Sequence, residues 1–354
     1  MSFLNRGFWL LLVLLCVSFS LLSSGSARAT GSSGFDLTTS PLPIDLTTLP
    51  GHVVTTDLRI QNSSIKPAVI KVSLLKFTAI GEQGNPQLLP RGPADDYFDW
   101  VSFSKNSFAA LPGQWTDVQM TIKVPPSGAF GYYYAVVFSN ANAAPQPTLN
   151  ATSLNGAVAT LVLLDVNAPG EKRIFSVSDF SASKKFYEFL PATFSVKVRN
   201  DGNVHGKPSG SIFISKGGHS VATLDVNAVG GNVLPNSNRI FSVSWSDGFP
   251  VYKTKMVNGQ IVSNKNSQPV QQLQWNFSRV SKLRFGHYTA HLVLTYDNGT
   301  RDVPIEGSVS FWVIPWRLVG MVIGLVALIA GLITYVIILR RKLKAASKIN
   351  RRIS

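Results

Sequence analysis

The sequence predicts an all-β fold that ends in a single apolar helix. Between residues 35 and 314 apolar and polar side chains alternate with a period of two, as in residues 54–60, where every second side chain is Val, Thr, Leu or Ile. Gly, Pro, Asn and Asp separate these runs at the short spacing typical of β-sandwiches. Residues 319–339 carry no charge and match the ~30 Å hydrocarbon core of a bilayer in length.

The first element, residues 1–29, has the pattern of a secretory signal peptide. Arg6 supplies the positive start, an apolar run follows, and the small residues Ala27 and Ala29 form the predicted signal cleavage site. Cys16 is the only cysteine of the chain and lies in this leader. Since extracellular proteins of eukaryotes usually carry disulfides, a mature chain with none favours a bacterial surface protein.

Region 35–314 contains three signals that occur twice in the same order. A Leu-Pro pair precedes a strand that ends in Asn62 in the first half and in Asn200 in the second, and a second Leu-Pro pair opens a later strand in each half. Gly131 and Gly286 each follow a phenylalanine, and we expect both glycines to bend the chain at the start of a strand.

The repeat predicts two domains of one architecture. We assign residues 35–168 and 172–314 to two tandem Ig-like β-sandwich domains. The second domain contains an insertion, predicted as a projecting hairpin at residues 252–264. Its centre is Asn258-Gly259 between apolar residues, a dipeptide whose two members both accept positive φ. Insertions of this kind often carry binding residues.

The C-terminal elements predict a single-pass membrane protein of type I topology. Residues 319–339 form the transmembrane helix, and residues 340–354 form a tail with seven Lys or Arg and no acidic residue. Positive charge stays on the cytoplasmic side, so the β-rich region is expected outside the cell membrane. The formal charge is +15, but without the leader and the tail about +6 remains, which is too weak to indicate a nucleic-acid partner.

The predicted helix carries a seam of small residues on one face. Its members are Gly320, Gly324, Ala327 and Gly331. Small residues at this spacing let membrane helices pack closely, so we predict transmembrane packing here, including a homodimer.

The polar residues do not form a recognisable catalytic or metal-binding motif. No histidine lies in a nucleophile elbow or in a zinc-binding helix motif. His287 and His291 lie on a predicted strand, where four residues span roughly 13 Å, too far for one shared ion. We therefore predict that the protein is not an enzyme and uses no cofactor or metal.

Aromatic residues are the predicted ligand contacts. Tryptophan rings could stack on sugar rings if exposed, whereas burial in a sandwich core is the usual alternative; the tryptophans concerned are Trp100, Trp115, Trp245 and Trp275. The candidate contact residues are Trp100, Trp115, Tyr133 and Asn258.

The order of these motifs resembles a known family. Segments 49–63 and 111–133 in the first half, and 234–238 and 285–288 in the second, are similar to the strand and turn motifs of WxL-interacting proteins of Gram-positive bacterial surfaces. The resemblance implies a distal first domain that contacts peptidoglycan and a membrane-proximal second domain that binds a protein partner. Segment 78–85 differs from the family, which has an Asn-rich turn at this place.

Three classes of function follow. The preferred one is a non-enzymatic cell-surface protein that tethers cell-wall glycan or a surface protein to the lipid membrane. The alternative is a spacer subunit of a membrane assembly or secretion complex that associates through its transmembrane helix. The third is an enzyme whose site is assembled across the junction of the two halves.

Overall fold

The computed structural model describes residues 36–141 and 157–353, with side chains as far as residue 341. The predicted leader, with Ala27 and Ala29, lies outside the described residues. Before Trp316 the described residues form strands and two short 3₁₀ helices, Asp96–Trp100 and Phe277–Lys282. The prediction of an all-β fold with an apolar C-terminal helix is therefore confirmed.

The first ten strands form two sheets that enclose one core. One sheet has the order β1-β3-β8-β6, and the other has β2-β10-β9-β4-β5, with β7 also paired to β4. The strands are β1 (Leu37–Ser40), β2 (Ile44–Thr48), β3 (Val53–Asn62), β4 (Ala68–Ile80), β5 (Asn85–Leu89), β6 (Val101–Phe103), β7 (Ser107–Ala110), β8 (Trp115–Lys123), β9 (Phe130–Asn140) and β10 (Ala157–Val166). Inward-facing residues such as Leu58 and Ile60 are fully buried, as the alternation in residues 54–60 predicts.

Eight of the last twelve strands form a second pair of sheets with its own core, and the other four form two two-stranded sheets. The orders are β11-β13-β16 and β12-β22-β21-β14-β15, and Trp245 is nearly inaccessible between them. The strands are β11 (Phe175–Ala182), β12 (Phe186–Tyr187), β13 (Ala192–Asn200), β14 (Ser209–Lys216), β15 (His219–Val226), β16 (Asn238–Trp245), β17 (Val251–Thr254), β18 (Met256–Val257), β19 (Gln260–Ile261), β20 (Gln271–Gln274), β21 (Gly286–Asp297) and β22 (Asp302–Val313). The sheets of β1–β10 are called the N-terminal sheet pair below, and the two larger sheets of β11–β22 are called the C-terminal sheet pair.

A buried asparagine connects the end of a core strand to two loops in the N-terminal sheet pair. Asn62, the last residue of β3, is inaccessible to solvent. Its Nδ2 donates to the carbonyls of Lys66 at 2.8 Å and Ala110 at 2.9 Å, and its Oδ1 accepts from the Ser64 N–H at 3.0 Å. One side chain thereby satisfies polar backbone groups that β-pairing leaves free.

The C-terminal sheet pair has the same arrangement at Asn200. Asn200 ends β13, is inaccessible, and donates to the carbonyls of Val204 at 2.8 Å and Val233 at 2.9 Å. Its Oδ1 accepts from the Gly202 N–H at 2.8 Å. In both halves the carbonyl that lies further along the sequence belongs to the residue just before a Leu-Pro pair. The sequence repeat therefore marks the same hydrogen-bonded arrangement in each half, here named the asparagine latch.

The two repeated glycines do not share one role. Gly286 begins β21 with φ of 114°, as predicted. At the other position the prediction is wrong, because the positive φ of 70° falls on Phe130. The Tyr133 ring occupies the space where a side chain at Gly131 would lie, so glycine there provides room rather than a bend.

The predicted hairpin forms the tip of a longer insertion. Asn258 and Gly259 have φ of 50° and 77° and connect β18 to β19, as expected for a two-residue turn. Below this tip β17 pairs with β20, and the chain returns to the sheet only at residue 286. The insertion therefore occupies residues 246–285 instead of 252–264.

The C-terminal helix follows the last strand almost directly. Helix α1 (Trp316–Ile353) begins three residues before the predicted span and continues through the predicted basic tail. Its segment Trp316–Arg341 contains an 18-residue window with a mean hydropathy of 2.8 and is, among the described residues, the one helix long and apolar enough to cross a membrane.

Candidate functional site at the junction of the sheet pairs

The two sheet pairs meet along an interface that has an apolar side. Leu234 from the C-terminal pair packs with Phe77, Leu88 and Leu163 of the N-terminal pair in one cluster of buried side chains. A cavity of about 180 Å³ lies beside this cluster. Burial of apolar surface therefore holds the two pairs together here.

Glu82 makes the polar contacts next to this cluster. It lies in the turn between β4 and β5, and its carboxylate meets Lys197 Nζ at 2.5 Å. Its backbone carbonyl accepts from the Ile240 N–H at 2.7 Å. The Lys197 hydrogen bond holds the pKa of the Glu82 carboxyl below its usual value. Segment 78–85, where the sequence differs from the motifs of WxL-interacting proteins, thus contacts the C-terminal sheet pair.

A polar cleft of about 260 Å³ also opens at this interface. Both sheet pairs contribute charged side chains to it. We name it the junction cleft, and its titratable lining residues are Asp45, Asp165, Arg173, His205, Lys207, Tyr296 and Asp297.

Arg173 is the centre of an ion-pair network in the junction cleft. Its Nη2 lies 2.8 Å from Asp165 Oδ2, its Nε lies 2.5 Å from Glu171 Oε1, and Asp297 is 3.7 Å away. Asp165 is almost inaccessible, and burial raises its pKa to about 6, with a further rise from Glu171 that Arg173 opposes. The guanidinium therefore compensates two carboxylates that are largely removed from water.

His205 lies nearby as a neutral side chain. Burial lowers its pKa to about 4, although Asp45, whose Oδ1 is 3.6 Å from His205 Nε2, acts in the opposite direction. Asp45 is also paired with Lys207. The His205 ring packs edge-on against Tyr133 with centroids 5.7 Å apart, and the Tyr133 hydroxyl is buried against this residue without a well-formed hydrogen bond. Burial raises the pKa of Tyr133.

The charged side chains of the junction cleft connect the two sheet pairs through ion pairs. A convergent polar cleft is the feature that an enzyme at the junction would need, and the structure has one. Its carboxylates, however, are paired with Arg173 and Lys207, and its described lining residues include no serine or cysteine that His205 could activate. The arrangement fixes two bodies relative to each other and leaves the absence of enzyme activity a prediction.

The predicted contact residues lie in different parts of the structure. Tyr133 faces the junction, while Trp100 is half-buried, with its ring centroid 4.7 Å from that of Tyr132. Trp115 is 41% exposed at the start of β8, and the Arg59 guanidinium lies 5.2 Å from its ring centroid. Asn258 is exposed at the hairpin tip. The four residues do not form one site, and only Trp115 presents an aromatic ring to solvent.

The glycine seam of the apolar helix is open. No atom lies within 4 Å of the position that a Cβ would take at Gly320, Gly324 or Gly331. Ala327 is exposed as well. Transmembrane packing through these four residues remains a prediction.

Comparisons with known proteins give only distant similarities. No family model and no curated protein matches the sequence. Among solved structures, the class 5 fimbriae chaperone CfaA has 13% identity, covers 79% of this chain and 100% of its own, and has a TM-score of 0.35. The Pseudomonas aeruginosa CupB2 chaperone has 9% identity, coverages of 78% and 100%, and a TM-score of 0.30. PapD-like domain 7 of human CEP192 has 13% identity, coverages of 41% and 95%, and a TM-score of 0.26. Similarity at this level assigns neither a function nor a partner.

Proposed function

We propose that the protein is a non-enzymatic tether of the bacterial cell surface. In this proposal two Ig-like domains, residues 35–168 and 172–314, stand outside the cell on one type I membrane helix and hold cell-wall glycan or a surface protein. As the family resemblance implies, the first domain contacts peptidoglycan and the second a protein partner. The proposal is based on the close contacts that join helix α1 to the C-terminal sheet pair and the C-terminal sheet pair to the N-terminal sheet pair.

The first stiff connection is the mount of the helix. Strand β22 ends at Val313, the Ile314 N–H donates to the Tyr187 carbonyl at 2.7 Å, and α1 begins two residues later. Arg317 Nε in the first turn lies 3.3 Å from the buried carboxylate of Glu188. The sheet and the helix are thus joined by a hydrogen bond and an ion pair as well as by the chain.

The second stiff connection is the junction between the sheet pairs. It combines the apolar cluster around Leu234, the Glu82–Lys197 pair and the Arg173 network. Because these contacts involve several elements of each sheet pair, they resist bending between the pairs. A ligand held on the first sheet pair would therefore be kept at a set distance from the membrane, which is what a tether requires.

A sedimentation experiment tests the glycan version of the proposal. Full-length protein in lipid nanodiscs is expected to pellet with purified peptidoglycan, and Trp115→Ala is expected to weaken retention about tenfold, because an exposed ring that stacks on sugar contributes on the order of 1.4 kcal/mol. Phe213→Ala removes an aromatic side chain of similar exposure, 43%, on β14 of the C-terminal sheet pair and serves as the matched control.

Two results would count against this version. Wild-type protein that stays in the supernatant would exclude peptidoglycan as the ligand. Equal losses for the Trp115 and Phe213 variants would show that retention reflects general stickiness of exposed aromatic side chains.

The alternative is a spacer subunit that associates through its membrane helix, and the open glycine seam favours it. If this function is correct, Gly320→Ile combined with Gly324→Ile abolishes co-purification with the assembly or with a second copy, since β-branched side chains would hold the helices apart. Val322→Ile with Leu325→Ile, on the opposite face, is the matched control. Unchanged co-purification of the glycine variant would contradict the alternative.

A further inference from the structure

The topology places the insertion at the helix end of the C-terminal sheet pair. Strand β21 starts at Gly286, and this residue pairs with Val313, the last residue of β22. Strand β16 runs antiparallel to β13 and ends at Trp245, opposite Ala192 at the start of β13. Insertion 246–285 therefore leaves and re-enters the sheets at the edge from which α1 departs.

A single buried carboxylate ties the insertion to the helix. Glu188 lies 3.3 Å from Arg317 in the first turn of α1, and it accepts a hydrogen bond of 3.2 Å from the Tyr252 hydroxyl on β17. The next residue, Phe189, packs against Tyr252 and Trp275 with ring centroids 6.2 Å and 6.4 Å apart. The aromatic part of the insertion thus lies beside the point where the helix begins.

The insertion presents an apolar surface that nothing in the described structure covers. Phe249 is buried at its base and contacts Trp275 and Phe277, whose rings stack with centroids 6.2 Å apart. Phe277 is 71% exposed. The exposed apolar side chains of this stretch, named the aromatic patch, are Trp275, Phe277, Val280, Leu283 and Phe285. Contiguous exposure of this kind usually marks an interaction surface.

The charge of the insertion indicates what the surface meets. Residues 246–285 contain six Lys or Arg and one acidic residue, Asp247. Arg279, Lys282 and Arg284 all lie within 3.0 Å of this one carboxylate, so a positive excess remains beside the aromatic patch. Exposed tryptophan and phenylalanine beside basic side chains are the composition that binds the headgroup layer of anionic membranes.

We propose that the aromatic patch rests on the membrane surface, with its rings in the headgroup layer of the leaflet at which α1 enters and its cations on anionic lipid phosphates. The inference rests on the proposed membrane anchorage. With the helix as one attachment and the patch as a second, the β-sheet region cannot pivot freely about the mount. The insertion then sets the angle between the β-sheet region and the membrane.

The test is lipid quenching of a probe at three positions in the full chain. The mature chain has no cysteine, because Cys16 lies in the predicted leader, so Ser278→Cys, Leu328→Cys or Val229→Cys supplies the single thiol. This thiol is labelled with an NBD fluorophore in nanodiscs that contain anionic and nitroxide-labelled lipid. Ser278 lies beside Phe277, Leu328 lies inside the apolar helix, and Val229 is 94% exposed at the opposite end of the sheet pair, roughly 25 Å away along β16.

We expect strong quenching at Leu328, at least twofold quenching at Ser278 and none at Val229. Quenching at Ser278 should fall to the Val229 level when Trp275→Ser and Phe277→Ser are added, while quenching at Leu328 stays unchanged. Quenching at Leu328 without quenching at Ser278 would overturn the inference and leave the membrane anchorage standing. Absence of quenching at Leu328 would overturn the anchorage itself.

A remaining outcome would assign the patch to protein. A blue-shifted probe at Ser278 that lipid does not quench, together with a cross-linked dimer, would mean that a second copy covers the patch, and the membrane proposal would be wrong.

Discussion

Asn200→Ala is expected to destabilise the C-terminal sheet pair by about 3 kcal/mol, because it leaves two buried carbonyls and a buried N–H without partners. Alanine cannot replace any of these bonds, and all three are buried. The measurement is urea unfolding of the full-length protein in detergent, followed by the intrinsic fluorescence of its tryptophans. Asn62→Ala is expected to have a similar effect on the N-terminal sheet pair, since its latch has the same bonds.

The control for this prediction is Asn264→Ala. Asn264 also accepts two local backbone hydrogen bonds, from Asn266 and Gln268, but these groups are exposed, so water replaces the lost bonds. A loss below about 1 kcal/mol is expected there. Equal losses for Asn200→Ala and Asn264→Ala would show that burial of the latch contributes nothing.

Arg173→Met should lower the free energy of unfolding by about 3 kcal/mol, because it removes the partner of two poorly solvated carboxylates. It should also make stability fall as the pH rises. The pKa of Asp165 already stands at about 6, above its ordinary value of 3.8, and without the guanidinium it rises further. A folded-state pKa above the unfolded one gives stability that is complete at low pH and is lost as pH rises through the folded value. The loss in Arg173→Met is therefore larger at pH 8 than at pH 5.

Urea midpoints at the two pH values measure this effect. Arg199→Met is the matched control, since Arg199 forms an exposed pair with Asp201 at 2.6 Å, for which a loss below about 1 kcal/mol and no comparable pH trend are expected. A loss in Arg173→Met that is the same at pH 5 and pH 8 would mean that Asp165 is solvated in the folded protein.

The elements that the sequence predicts correctly are those encoded by short-range patterns. A period of two places Leu58 and Ile60 on the inner face of β3, and Asn258-Gly259 forces the hairpin turn with no help from the rest of the fold. The repeat of Leu-Pro and a strand-terminal asparagine is also visible in the sequence. Its reason is visible only in the structure, where each asparagine reaches the carbonyl that precedes a Leu-Pro pair.

The junction could not be predicted because its residues come together only through tertiary placement. Asp45 and His205 are 160 positions apart, and nothing near either residue in the sequence indicates the other. The predicted hairpin, residues 252–264, is shorter than the insertion, residues 246–285, for a related reason. The pairing of β17 with β20 depends on a register that no local signal sets. A second, weaker signal was available: six cations and one acid in residues 246–285 already distinguish the insertion from its surroundings.

Aromatic residues show the limit of composition as a guide. Trp100 and Trp115 both flank strands of one sheet, yet the first packs on Tyr132 while the second faces solvent under Arg59. The side of the sheet that each ring takes depends on the local backbone at the strand end. Of these two predicted contact residues, only Trp115 presents an accessible ring.

Only Ile314 and Pro315 separate the last strand from helix α1, so no flexible linker lies between them. If the proposed tether function is correct, tension applied to a ligand on the N-terminal sheet pair would reach the membrane helix without first straightening a slack linker. Movement of the wall relative to the bilayer would then tilt the helix in the membrane, and any partner packed along it would be displaced with it.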